Sequence, residues 1–138
     1  MIKTDKTGNS IKEMKEREKQ AKEADLRAKC EAWAMERFGN ETVVNWSNKN
    51  KGLWYLPIVD DDGNIEACLI LKPINRHILS YASTKISDEG LYVFLEACMR
   101  DCKVEGDDII LDEDEYFIPA AMQFNKILEG KKAAMLKR

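Results

Sequence analysis

Histidine occurs once in this chain of 138 residues, proline three times and glycine seven times. So little histidine leaves the usual general base of enzyme sites with a single candidate, His77, and the sequence sets no orienting group beside it. Few prolines and glycines exclude a Pro-rich or Gly/Ser-rich linker, and no period of 20 to 50 residues repeats. An apolar run of the 18 to 20 residues that a membrane span needs is missing, and the N-terminal stretch MIKTDKTGNSIKEMKEREKQ has no apolar signal-peptide core. Basic excess is missing too: 22 Lys and Arg against 25 Asp and Glu give a net charge of −3, unlike a dedicated nucleic-acid binder. The expectation is a protein of the bacterial or other cytosol that binds neither nucleic acid nor membrane.

The four cysteines, Cys30, Cys68, Cys98 and Cys102, lie in apolar-patterned segments without dense disulfide spacing. They read as reduced, small core hydrophobes. Cys98 and Cys102 are four apart on one expected helix, but a structural zinc site needs four ligands, and Cys30, Cys68 and His77 are scattered along the chain. Asp60 to Asn64 has the look of a calcium loop until the register is counted. With Gly63 at the sixth position, Ile58 and Leu69 would occupy the first and twelfth, where oxygen ligands are required. No metal and no cofactor is expected, and no catalytic residue is nominated.

What the chain does have is 44% hydrophobic residues, enough for one core of ordinary size, and an uneven spread of charge. Acids and bases alternate through residues 1–38, the stretch 105–115 holds seven acids and no base, and the end is Lys-rich. Residues 1–40 are expected to form a long charged helix, capped by Asn9 or Ser10 and stopped at Gly39-Asn40. Its first half is polar, with Glu13/Arg17, Glu18/Lys22 and Glu23/Arg27 spaced for ion pairs. Apolar residues gather at Leu26, Cys30, Trp33, Ala34 and Phe38, so the helix should dock by its C-terminal end and project at the other.

Residues 41–138 are expected to be a small domain. Thr42-Val43-Val44 with Trp46 precedes a polar break, and two strand-like runs follow, paired as a hairpin over 53–72 about Asp61-Asp62-Gly63-Asn64. An antiparallel meander of two or three strands is the expected sheet. Pro73 ends the second strand and Asn75 caps a helix over about 75–84. A helix over about 88–103, starting at Ser87 or Asp88, comes next. Ile109 to Leu111 form a short strand or plug the core, and a last helix spans about 115–130, with Pro119 starting or kinking it. Strands that cluster with helices following give an α+β class, a three-helix portion closing the chain.

Candidate binding residues fall in three groups. Trp54 and Tyr55 point to opposite faces of a strand, and aromatics of this size serve cores and interfaces alike; Trp54 is the one expected to be exposed. Lys72 and Arg76 flank Pro73 and could grip an anion at a helix start, although no Gly-rich loop accompanies them. The acids Asp112, Glu113, Asp114 and Glu115 either steer a basic partner or cap the last helix, Asp112 and Glu115 having capping-box spacing. No oligomeric state follows from these residues.

The segment LILKPINRHILSYA, followed by EACMRDCKVEGDDIILDEDEYFIPAAMQFNKILEGKKAAMLKR, resembles the small tail assembly chaperone-like proteins of phage and prophage morphogenesis modules. In those a hairpin strand ends at a Lys-Pro-x-x-Arg corner, a helix pair follows, an acidic stretch leads into the last helix and the end is Lys-rich. Here Lys72, Pro73 and Arg76 fill the corner, Gly106 and Asp107 the break, and Asp112 to Glu115 the acidic lead, so the likeness spans residues 53–138. It implies a non-enzymatic protein that binds a tape-measure or tail protein during assembly in the cytoplasm of a bacterial host. The long charged helix before it departs from that pattern and leaves open a tail, connector or capsid component of the virion. A small regulatory or ligand-binding domain is the remaining alternative.

Overall fold

The structure, a computed structural model, describes residues 2–84, 90–128 and 134–138, with side chains from Ser10 onward. Among these described residues nine elements follow one another: α1 (Ile2–Phe38), α2 (Asn40–Asn50), β1 (Trp54–Val59), β2 (Ile65–Leu71), α3 (Arg76–Ser83), α4 (Leu91–Cys102), β3 (Lys103–Gly106), α5 (Ile109–Asp112) and α6 (Asp114–Ile127). The class is α+β as expected, with the long N-terminal helix and the C-terminal helices in place. Among the described residues no helix is long and apolar enough to cross a membrane.

The sheet is antiparallel in the order β1-β2-β3, so β2 is its centre. Trp54 lies opposite Leu71 at the open end of the hairpin and Val59 opposite Ile65 at its turn. Asp60 builds that turn. Its Oδ1 accepts from the backbone N–H of Asp62 and of Asn64, each at 2.9 Å, and Gly63 takes the positive φ of 82° that the reversal requires. The third strand is Lys103–Gly106, directly after α4, where no strand was expected. Gly106 makes this possible: a Cβ there would stand 2.5 Å from the Cys68 carbonyl oxygen, so only glycine lets β3 approach β2.

Both faces of β2 are covered, which divides the core in two. Ala67, Leu69 and Leu71 face the C-terminal helices and pack with Leu56, Ile78, Leu95, Met99, Ile110 and Phe124. Ile70 faces the other way, against Ala34 of α1 and Val43 of α2, within a ring that includes Trp33, Phe38, Trp46, Leu53 and Tyr55. Buried on two sides, β2 reads as an almost unbroken apolar run rather than an alternation.

Local differences from the sequence expectation have physical causes. Helix α1 begins at Ile2, so neither Asn9 nor Ser10 caps it; one glycine, Gly8, costs a helix only about 1 kcal/mol. The three expected acid-first pairs of α1 do not close, and Asp25–Lys29, at 3.6 Å, does; exposed pairs gain little over hydration. Residues 40–50 are helical. Gly39, at φ 85°, turns the chain back so that Val43 and Trp46, three apart, meet Ala34 and Phe38. Asn75 caps α3 as expected, its Oδ1 accepting from Ile78 N–H at 2.9 Å. The expected start of the next helix at Ser87 or Asp88 lies outside the described residues; Gly90 is the residue before α4. Ile109 to Leu111 form a helical turn that buries Ile110 and Leu111, plugging the core. Pro119 sits inside α6, which starts five residues earlier, so it does not begin that helix.

Candidate functional site

The three groups of candidate residues lie apart. Trp54 is 49% exposed at the open end of the hairpin, beside Leu71 and hence next to Lys72. Lys72 is held there by its backbone, whose N–H donates to the Cys102 carbonyl at 2.8 Å, and Arg76 is exposed in the first turn of α3. Tyr55 turns to the opposite face of the sheet and joins the α1 cluster. Burial, with the neighbouring Glu31 carboxylate, holds its hydroxyl far above the usual phenol range. Tyr55 is therefore part of the packing between α1 and the sheet.

The acids are split further. Asp112 pairs with Arg100 at 3.4 Å, and Arg100 pairs with Glu96 at 2.8 Å. No side chain caps α6: Glu113 is its N-cap residue, and the capping box expected of Asp112 and Glu115 is not formed, because Asp112 belongs to α5 and turns to Arg100. Asp114 and Glu115 occupy the first turn of α6, where negative charge complements the exposed N–H groups. Near them Tyr116 meets Glu66, whose charge holds the Tyr116 hydroxyl above its ordinary value. Glu66 adjoins the hairpin turn, so these acids sit toward the end of the sheet away from Trp54 and Lys72.

Two hollows accompany these residues. One is lined by Arg100, Lys103, Asp108, Leu111 and Asp112, and its charges are matched by the pairs Arg100–Asp112 and Lys103–Asp108. The other, of about 220 Å³, opens between α1, α2 and β1, where Met35, Val44 and Leu53 meet Glu31 and Tyr55. Neither places a base against an orienting group within hydrogen-bond reach.

A long uncommitted surface belongs to α1. Every residue from Ser10 to Asp25 is exposed, with Ile11 50% and Met14 57% open to solvent. Burial begins only at Cys30 and Ala34. From there the helix is fixed to the sheet by two polar clasps. Lys29 Nζ donates to the Gly63 carbonyl at 3.0 Å, and Arg37 Nη1 donates to Asp107 Oδ1 at 2.8 Å while its guanidinium lies 4.6 Å over the Trp33 ring. Asp107 Oδ2 in turn accepts from the Cys68 N–H at 3.1 Å.

Between the clasps the fold joins two residues that the sequence separates by 38 positions, Cys30 and Cys68, both buried. The Cys68 Sγ donates to the Leu69 carbonyl at 3.6 Å, and each thiol perturbs the other, Cys30 being held below and Cys68 above the ordinary thiol range. Cys98 and Cys102, four apart on α4, are buried in the other half of the core, where desolvation pushes each thiol up to about 11. The sequence shows Cys30 one turn before Ala34 and Cys68 two residues before Ile70, but that Ala34 and Ile70 meet is set by the fold alone. Comparison of the chain with protein-family models, curated proteins and solved structures found no match.

Proposed function

We propose that the chain is a non-enzymatic protein that binds another protein during phage assembly, as a tail assembly chaperone-like partner of a tape-measure or tail protein in the host cytoplasm. The observation that carries this is α1, fastened at its C-terminal end and exposed on all sides from Ser10 to Asp25. A charged helix gains little from its own side-chain pairs and owes most of its stability in proteins to packing. One that presents Ile11 and Met14 on solvated turns is suited to lie along another helix. The likeness of residues 53–138 to tail assembly chaperone-like proteins supplies the phage setting, and the exposed acids Glu113 to Glu115 would orient a basic partner.

The test is co-expression with the neighbouring tail and tape-measure proteins of the same genome, followed by purification of the chain and of finished particles. Capture of a tape-measure or tail protein, its loss in an Ile11→Glu/Met14→Glu variant, and absence of the chain from particles are the expected results. The long charged helix, which the resembled proteins lack, favours a second reading as a structural or packaged component of the virion. A fixed copy number in particles would establish that one, and failure to retain any of these proteins would remove both.

A further inference from the structure

Helix α1 is seated on β2 by Ala34 against Ile70. One helical turn back from Ala34, about 6 Å, is Cys30, and two residues back from Ile70, about 7 Å, is Cys68. The two elements run in the same sense here, since Lys29 meets Gly63 at the hairpin turn and Arg37, further along α1, meets Asp107, which is bonded to the Cys68 backbone further along β2. Equal steps along equal directions put both thiols at one point of the interface, where 1% and 0% of their surface is exposed and each shifts the titration of the other. We infer that Cys30 and Cys68 are a reversible disulfide site through which a low-molecular-weight disulfide of the glutathione class bolts α1 covalently to the sheet.

The chemistry balances within those partners. One cysteine thiolate attacks a sulfur of the small disulfide, whose S–S bond breaks to release one thiolate and leave a mixed disulfide on the protein. The second cysteine, losing its proton to solvent, attacks the protein sulfur of that mixed disulfide and expels the second small thiol. The protein loses two hydrogens and two electrons, and the reagent gains them. Cys30 is the better first nucleophile, because its neighbour Cys68 holds it below the ordinary thiol range while Cys30 and burial hold Cys68 above it. Reagent enters when the docked end of α1 lifts, an opening restrained chiefly by one small apolar contact cluster and the clasps at Lys29 and Arg37. Cys98 and Cys102 provide an internal control, being equally buried, raised to about 11 and successive on one helix face.

The experiment incubates the folded full-length chain in glutathione buffers stepped from reducing to oxidising, quenches with acid, and maps linked peptides by mass spectrometry. The expected result is a species about 2 Da lighter, with Cys30 joined to Cys68 and two thiols still titratable after unfolding, reversed by dithiothreitol. Hydrogen exchange of residues 26–38 in that species slows by at least about tenfold. A Cys98–Cys102 link, stable glutathione adducts that never resolve, a Cys30–Cys68 link formed only in urea, or four free thiols at every ratio would each overturn the inference. An unchanged exchange rate in the linked species would overturn the bolting of α1.

Discussion

Gly106 is the residue on which the sheet depends most directly. Its φ of 136° is open to glycine alone among common residues, and a Cβ would meet the backbone of Cys68 and Leu69 at 2.5 and 2.9 Å. Gly39 has a positive φ of 85° but nothing within 4 Å of a Cβ. Gly39→Ala should thus carry backbone strain of about 1–3 kcal/mol by itself. Gly106→Ala adds overlap with a buried strand and should lose at least about 3 kcal/mol, measured as the shift in urea midpoint of the two variants. The buried thiols act at the same scale. Cys98 and Cys102 titrate near 11 in the folded chain against an ordinary value of 9, because burial disfavours the thiolate. A group raised in the folded state stabilises below its unfolded value and loses that contribution as pH climbs through the folded one. Stability under reducing conditions should therefore decline between pH 9 and 11, and Cys98→Ala/Cys102→Ala should flatten that decline.

Among the elements, the contact of α1 with the sheet runs through Asp107, which accepts from Arg37 with one oxygen and from the Cys68 N–H with the other. Asp107→Ala leaves a half-buried N–H unsatisfied and should cost about 2 kcal/mol. Arg37→Ala leaves that N–H bonded and should cost about 1 kcal/mol, in exposed pairing and the stacking on Trp33; equal losses in thermal melts would refute this division. The hairpin, the Asn75 cap and the docked end of α1 were legible in sequence because each is set by residues close together: Asp-Gly-Asn at a turn, a short acceptor before a helix, apolar residues at helical spacing. Helix α2 and strand β3 were not. Thr42-Val43-Val44 has strand-like composition but is helical because Gly39 folds it back onto Phe38, and Lys103–Gly106 offers only one apolar residue, Val104, in four. It becomes a strand because β2 offers an edge and Gly106 fits against it. The meeting of Cys30 with Cys68 was hidden likewise, since it depends on how α1 crosses the sheet. The acidic run was legible as a helix lead but not in its partners, as Arg100 lies twelve residues before Asp112 on another helix.

At the scale of the whole molecule, a body with burial on both sides of its central strand carries a helix that is docked from Cys30 onward and exposed from Ser10 to Asp25. Local opening should follow that division. Trypsin at low dose should cut first at Lys12, Lys15, Arg17, Lys19 and Lys22, and at Lys137 in the exposed tail, while the hairpin and α4 persist; first cuts at Lys72 or Lys103 would refute it. The burial of β2 from two sides also sets an order of events during synthesis. The apolar face of α1 leaves the ribosome about forty residues ahead of the strand that covers it, an interval of roughly 2–8 s at typical elongation rates. Through that interval Trp33, Phe38 and Trp46 can shelter one another, ring centroids 5.9 and 5.2 Å apart, all contributed by the α1–α2 turn alone. The N-terminal helix pair is thus a nursery for the chain, closed on itself before the sheet arrives, and only when β3 emerges does β2 acquire its second neighbour.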